Sequence, residues 1–442
     1  MFLVTLTILI LQLQSFDDSL FGVLLILLRR LLGCKYSRIV DIHIIHRLQL
    51  TPMLLYRYSN SLNRKDVCMR RLSFWILLGI ILAACGSSTP TTEPSQLALA
   101  PTATIAVTVT AAPTNSPEPT STTLPTVTTE PSPTPEPKIE LAVVGDIMLA
   151  RSIGERILSD SPEQPFAGVR DELVNADLTI GNLETAIADA GEPAPKAYRF
   201  LAPPESVDSL SDAGFDLVSL ANNHSLDWGE SALSETIGLL NEAEIANVGA
   251  GMNAEQAYRP VIIEKHGLRL AFLAYVNVPV ERGGFVTESW TATAEQAGLA
   301  WAEPAVIAAD VAAIRPSVDH VIILLHSGYE GIDQPNEIQR SNAYAALDAG
   351  ATLVLGAHPH VLQGYEARPN GQFIAWSLGN FVFDGFDGTP SLDSAILHLT
   401  LDKTRVIASR WTPVRLIDGY PQALDPTTDG AYIIEKIEQL SN

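Results

Sequence analysis

Five apolar runs in this chain each stop at residues that can bind a metal ion. Leu141-Ala142-Val143-Val144 runs into Gly145-Asp146, and Leu178-Thr179-Ile180 into Gly181-Asn182-Leu183-Glu184. Phe215–Leu220 runs into Ala221-Asn222-Asn223-His224, Val321–Leu325 into His326, and Leu353–Leu355 into Gly356-Ala357-His358-Pro359-His360. Short apolar runs closed by small polar residues read as buried strands ending in loops. Open α/β sheets place their chemistry at such strand ends. One ending of this kind means little, but five on the same side of their strands point to one convergent site.

Each candidate has a plainer reading. Asp146 is a bridging or terminal metal ligand, or the N-cap of a helix that starts nearby. Glu184 is a ligand or a solvated loop acid. Asn223 is a neutral oxygen ligand or the brace of a turn, and His224 is a functional imidazole or a satisfied core histidine. His326 closes five consecutive apolar residues, so its ring needs a partner, and a metal is one. His358 and His360 flank a proline. At i and i+2 of an extended segment both rings point the same way and reach one bimetal centre.

Composition narrows the chemistry. The three cysteines are Cys34, Cys68 and Cys85. The region beyond residue 85 therefore has no disulfide and no thiolate ligand. Any metal is held by Asp, Glu, Asn and His, a set that suits Mn, Mg, Fe or Zn. The net charge is −22, and residues 1–84 hold 10 basic and 4 acidic side chains, leaving 18 and 46 for the rest. A surface that acidic argues against nucleic acid as a partner. It leaves room for an anionic substrate, because a metal site inverts the local field.

In chain order, residues 1–68 are apolar and basic. They read as a misassigned start, or as an extra membrane segment through Phe2–Leu13 and Val23–Leu28. Met69 then begins an export signal: Arg70-Arg71, the apolar run Phe74–Ile81, and Leu82-Ala83-Ala84-Cys85. That tetrapeptide resembles the lipobox of bacterial lipoproteins, in which the cysteine is lipidated and becomes the mature N-terminus. The alternative is a transmembrane anchor, but the apolar run is short for a span. Residues 69–85 are read as a lipoprotein signal with Cys85 as the lipidation site. Residues 86–138 are rich in Pro, Thr and Ser and cannot offset their ordering entropy by burial, so they read as a tether. A folded domain spans 139–420, and 421–442 is a tail with a short helix, Tyr432–Leu440. Helices are expected at Pro204–Ala213, Glu230–Ala243, Pro304–Ile314 and Glu337–Ala349. Strands are expected at Phe373–Leu378, Ala395–Leu401 and Val406–Leu416. Alternating strands and helices followed by a strand-rich tail predict an α/β (α+β) fold, a mixed sheet or two packed sheets with outer helices.

From about Ile139 to Leu416 the chain resembles the capsule-synthesis protein CapA (poly-γ-glutamate biosynthesis) family, whose fold is similar to calcineurin-like metallophosphatases. The stretches that carry the resemblance are Val144-Gly145-Asp146-Ile147-Met148, Asn182-Leu183-Glu184, Ala221-Asn222-Asn223-His224 with Asp227, and His326 with Gly328 and Glu330. Gly356–Gln363 and Ser377–Asp384 complete them. The resemblance implies a two-sheet β-sandwich flanked by helices, holding two divalent metal ions. Asp146, Glu184 and His360 would hold one metal. Glu184, Asn223, His326 and His358 would hold the other, with Glu184 bridging. His224 would stabilise the transition state or protonate the leaving group, making His224, Asp146 and Glu184 the catalytic set. Arg151, Lys196 and Glu330 are candidate substrate contacts; for Lys196 a solvated basic side chain is the plainer reading. Met148 stands where metallophosphatases normally have a histidine ligand, and Ser327 and Gly331 stand where the family usually has aromatics.

Two functions follow. One is a phosphoesterase-like hydrolase of an anionic envelope polymer or its precursor, lipid-anchored outside the bacterial cytoplasm. The other is a non-catalytic, polyanion-binding component of a polymer-synthesis complex serving export or attachment.

Overall fold

The computed structural model describes residues 136–441 except Arg282. The signal, the lipobox with Cys85 and nearly all of the tether lie outside the described residues. Among the described residues no helix is long and apolar enough to cross a membrane.

The first strand, β1 (Ile139–Ile147), is buried along almost its whole length. Continuous burial is the mark of a strand covered on both faces. It is followed by α1 (Arg151–Ser159), β2 (Leu178–Leu183), α2 (Ser206–Asp212), β3 (Phe215–Ser219), α3 (Gly229–Glu242) and β4 (Ala246–Val248). β1 to β4 are parallel neighbours. A hairpin of β5 (Val261–Lys265) and β6 (Leu268–Asn277) comes next. His266 and Gly267 both have positive φ, the two-residue turn that matches strand twist. Then come α4 (Pro304–Ile314), β7 (His320–Ser327), α5 (Glu337–Asp348), β8 (Leu353–Ala357), β9 (Tyr365–Ala367) and β10 (Phe373–Ala375). The chain closes with β11 (Asn380–Val382), β12 (Asp393–Leu401), β13 (Val406–Ile417), β14 (Tyr420–Ala423) and α6 (Ala431–Leu440).

These strands make two large sheets. An eight-stranded sheet runs β14-β13-β12-β1-β2-β3-β4, with β11 also paired to β1; a six-stranded sheet runs β9-β10-β8-β7-β6-β5. Side-chain alternation shows how they pack. On β6, Leu268, Leu270, Phe272, Ala274 and Val276 join the core shared with the first sheet. The intervening Ala271, Leu273 and Tyr275 join a second core with Ile307 and Val311 of α4 and Ala343, Ala346 and Leu347 of α5. β7 and β8 alternate in the same way. The fold is the two-sheet sandwich with outer helices.

Some elements differ from expectation. α2 starts at Ser206 because Pro203 and Pro204 form the preceding turn, whose carbonyls accept the Ser206 and Val207 N–H groups. α5 begins at Glu337 under a reciprocal Asn336–Gln339 capping box, and Gly350 follows it with φ +110°. The strand expected over Phe373–Leu378 ends at Ala375, and Leu378 pairs singly with Leu362. The closing helix is not merely a tail, since it buries Ile433 and Ile437 against Leu362 and Ala395. The β5–β6 hairpin was not anticipated, and the helix expected near Asp146 is α1, which starts at Arg151.

One buried histidine makes the fold sensitive to acid. His398 lies on β12 opposite Arg410 of β13, with Glu172 and Glu140 carboxylates 3.3 and 3.6 Å from its ring nitrogens. Burial, then the Arg410 charge, push its pKa from 6.5 down to about 4, against the pull of Glu172. As the pH falls, the unfolded chain binds this proton before the fold does. The fold keeps this part of its stability above about pH 6.5 and loses it progressively towards 4. His398→Gln should therefore show a shallower decline in melting temperature between those pH values than wild type. Parallel declines would clear His398 of the effect.

Candidate metal centre

The parallel strands of both sheets deliver their ends to one place. Asp146 lies beside Asn182 in the β1–β2 register and beside Asn380 in the β1–β11 register. Gly145 permits the second approach, because a Cβ there would come within 1.9 Å of the Gly379 carbonyl oxygen. That oxygen accepts the Asp146 N–H at 3.0 Å. Glu184 follows the end of β2, and Asn223 and His224 sit in the turns after β3. His326 pairs with Ala357 at the end of the β7–β8 register, one residue before His358. Asp146, Glu184, Asn223, His224, His326, His358 and His360 are all buried and come together.

Glu184 is the centre of the cluster. Its Oε1 stands 3.7 Å from His326 Nε2, 3.8 Å from His360 Nε2 and 3.9 Å from His224 Nε2. These spacings are too long for hydrogen bonds. Neither Glu184 oxygen has a hydrogen-bond partner, and neither has His358 Nδ1. Burial first, then the Asp146 carboxylate, push the Glu184 pKa well up. Burial and the neighbouring imidazoles push His326 and His358 well down. Unpaired polar atoms in a dry interior are destabilising, and a divalent cation would satisfy them, since it takes a charged carboxylate and a neutral imidazole. Two groups are compact enough for this, Glu184–His358–His360 and Asp146–Glu184–His326, each with ligand atoms within 4.8 Å of one another. Glu184 belongs to both. His358 falls with His360 and Asp146 with His326, while His360 also stands 3.2 Å from Asp146 and 3.8 Å from Glu184, the set the resemblance implied. The residues fit divalent metal binding. Met148 is buried, and its sulfur accepts the Ala150 N–H at 3.2 Å.

Several expectations need correction. The His358-Pro359-His360 segment is not extended. His358 and His360 have φ of +97° and +57°, a region costly for residues with a Cβ. Both rings still reach Glu184, because the turn is held from outside. The His358 N–H donates to Asp146 Oδ2 at 3.2 Å, and His360 Nδ1–H donates to Asn380 Oδ1 at 2.9 Å. Asp146 caps no helix, since α1 starts at Arg151 with Ala150 in the cap position. Glu184 is not solvated. Lys196 is not solvated either: its ammonium donates to the Asn223 carbonyl (2.6 Å) and Glu281 (2.7 Å) and pairs with Asp227 (2.7 Å). It braces the Asn223 loop and has no donor left for a substrate. Arg151 and Glu330 do line the cleft above the cluster.

Sequence reasoning gave no role to the residues that orient the ligands. The Asn182 amide donates to Asp146 Oδ1 at 2.8 Å and to His326 Nδ1 at 3.1 Å. Asn182 and Glu184 stand two apart at a strand end, and that spacing was the available signal. Asn222 donates to Asn182 and to the Leu183 carbonyl. Asp227 accepts from His224 Nδ1 at 2.6 Å. Glu281 lies in a loop without a sequence signal.

The profile of the family described as bacterial capsule synthesis protein PGA_cap matches residues 140–385, more than half of the chain. The chain belongs to this family. The capsule biosynthesis protein CapA of Bacillus anthracis is 31% identical over 300 residues, 66% of this chain and 71% of the relative. The PGA biosynthesis protein CapA of Bacillus subtilis strain 168 is 30% identical over 286 residues, 64% of this chain and 73% of the relative. A crystal structure described as a novel phosphatase from Mycoplasma pneumoniae overlaps 67% of this chain and 99% of its own, at 13% identity and a TM-score of 0.41. That overlap is too slight to carry chemistry from one protein to the other.

The unpaired Glu184 carboxylate has a measurable consequence. The unfolded chain releases this proton near pH 4.5, while the metal-free fold holds it to higher pH. Metal-free protein should therefore lose stability as the pH rises above 4.5. Glu184→Gln should escape that loss and, metal-free at neutral pH, be more stable by roughly 1–3 kcal/mol. It should also lose metal binding. Calorimetry with chelator and with Mn or Zn checks both; a variant that is less stable and still binds metal would make Glu184 a structural acid.

Proposed function

We propose that this chain is a metal-dependent phosphoester hydrolase acting on an anionic envelope polymer or its precursor, lipid-anchored outside the bacterial cytoplasm through Cys85. The His224–Asp227 pair carries the hydrolase reading. His224 Nδ1–H donates to Asp227 Oδ2, which also accepts the Phe200 N–H at 2.7 Å. Phe200 stacks on the imidazole with centroids 4.1 Å apart. The ring is therefore fixed, and Nε2 faces Glu184. Burial lowers the His224 pKa, and Asp227 opposes that. A phosphoryl group beside Nε2 opposes it further, so the ring can hold a proton for the leaving oxygen.

Divalent ions held by Asp146, Glu184, Asn223, His326, His358 and His360 would supply a water nucleophile at neutral pH and neutralise phosphoryl charge. Asn182 and Asn380 keep the ligands oriented. Arg151, whose guanidinium lies 4.4 Å above Phe200, also lines the cleft, where its charge is paired with Asp384. The names of the Bacillus relatives support the polymer assignment. The same names speak of synthesis and not hydrolysis, which favours the second reading, a binding component of export or attachment.

Metal analysis of the purified protein followed by turnover of a generic aryl phosphate separates the two. On the hydrolase reading His224→Ala lowers kcat roughly 10²–10⁴-fold with metal content unchanged. Asn223→Ala lowers metal affinity, and excess metal partly restores its activity. If both variants respond alike, or wild type turns over no ester with any divalent metal, the binding reading stands. The anchor has its own test: Cys85→Ser should leave an uncleaved or soluble product, and a mature protein whose mass includes residues 1–68 would remove the lipoprotein assignment.

A further inference from the structure

Above the ligand cluster a cleft of about 260 Å³ opens to solvent. Its walls carry two chemistries. Tyr198, Phe200, Phe383 and Phe386 contribute rings, and Phe383 meets Phe200 and Phe386 edge-on at 5.7 and 5.2 Å between centroids. Glu281, Glu330 and Asp384 contribute carboxylates. Arg151 is the one lysine or arginine lining the cleft among the described residues.

These charges do not cancel. Arg151 is taken by Asp384, with Nη1 3.0 Å from Oδ1. Gly385 leaves room for that pairing, since a Cβ there would come within 2.7 Å of Arg151 Nη1. Glu281 is matched by Lys196, which also serves Asp227. Glu330 is exposed, and no ion pair or hydrogen bond engages its side chain among the described residues. The mouth therefore carries an unmatched negative charge above a floor built to hold cations.

Resting on the phosphoester reading above, we infer that the cleft selects a substrate with a single anionic group on an uncharged body that presents a flat apolar face. The anionic group is drawn to the metal floor, and the rings pack against the body. A second anion on that body meets Glu330, and a cleft with low-dielectric walls focuses the repulsion. Of the two substrates proposed above, the cleft therefore favours a singly charged precursor over the intact polyanion.

Two phosphonates that differ by one charge test this without turnover. Binding of phenylphosphonate and 4-carboxyphenylphosphonate to metal-loaded protein is measured by calorimetry at low salt. The comparison covers wild type, Glu330→Gln and Glu330→Lys, with metal content determined for each. Wild type should bind phenylphosphonate more tightly. The affinity ratio should narrow by roughly twofold to fivefold in Glu330→Gln, the scale of one exposed charge–charge interaction, and reverse in Glu330→Lys. Raising the salt should narrow the wild-type ratio. Equal affinities in wild type, a ratio indifferent to Glu330, or no binding of either phosphonate would each overturn the inference. Because no ester need be cleaved, loss of the hydrolase reading would leave a positive result here intact.

Discussion

A carboxylate sealed away from water with no hydrogen-bond partner is the interaction on which this structure turns. Glu184 lies in a cluster of buried polar side chains that includes amides. Yet the nearby amides face elsewhere: Asn182 towards Asp146 and His326, Asn222 towards Asn182 and Leu183, Asn380 towards His360. Among the cluster's metal-ligand candidates, the buried side-chain atoms left without a hydrogen bond are both oxygens of Glu184 and Nδ1 of His358. A fold under no other demand relaxes such a defect, since an unmet buried carboxylate is strongly unfavourable. Its persistence among neutral imidazoles is the argument for a cation.

The sandwich makes this defect sustainable. Both sheets bury alternating faces, and the shared core reaches along β1, β2, β6, β7 and β8. The unfavourable group is confined to the ends of those strands, where backbone geometry can depart from the ladder. The positive φ at His358 and His360 is the visible departure. It is held by hydrogen bonds that the two histidines donate to Asp146 and Asn380, which lie on neighbouring strands of the other sheet. The sheet interiors stabilise; their ends carry the strain.

Much of this was legible because it is local. An apolar run closed by a ligand residue can be read from a few consecutive positions, and those runs match β1, β2, β3, β7 and β8. α4 was placed at its observed limits for the same reason. The hairpin strand β6, Leu268–Asn277, also closes on an asparagine, but that side chain donates to the Ala302 carbonyl at 2.8 Å, a tertiary partner that local sequence does not reveal. The geometry of His358 and His360 was misjudged because φ there is set by tertiary contacts. Lys196 was misjudged because its partners, Asp227 and Glu281, are 31 and 85 residues away along the chain. Burial of a lysine is decided by what folds against it, and no window around Lys196 contains that information.

The acidity of the chain and an anionic ligand are compatible because they act over different distances. Exposed charges are screened beyond roughly 8–10 Å at physiological salt, so most of the surface acids are not felt at the cluster. Glu330 is the exception that counts, since its charge adds to the forces raising the Glu184 pKa. The local field at the floor is then a contest among Asp146, Glu184, the buried Lys196 ammonium, whatever cation the cluster holds, and one carboxylate at the mouth. A ligand with its charge at one end can satisfy the floor without approaching the mouth, whereas one charged along its length cannot. The arrangement of charge within the cleft, more than the total charge of the protein, decides what enters.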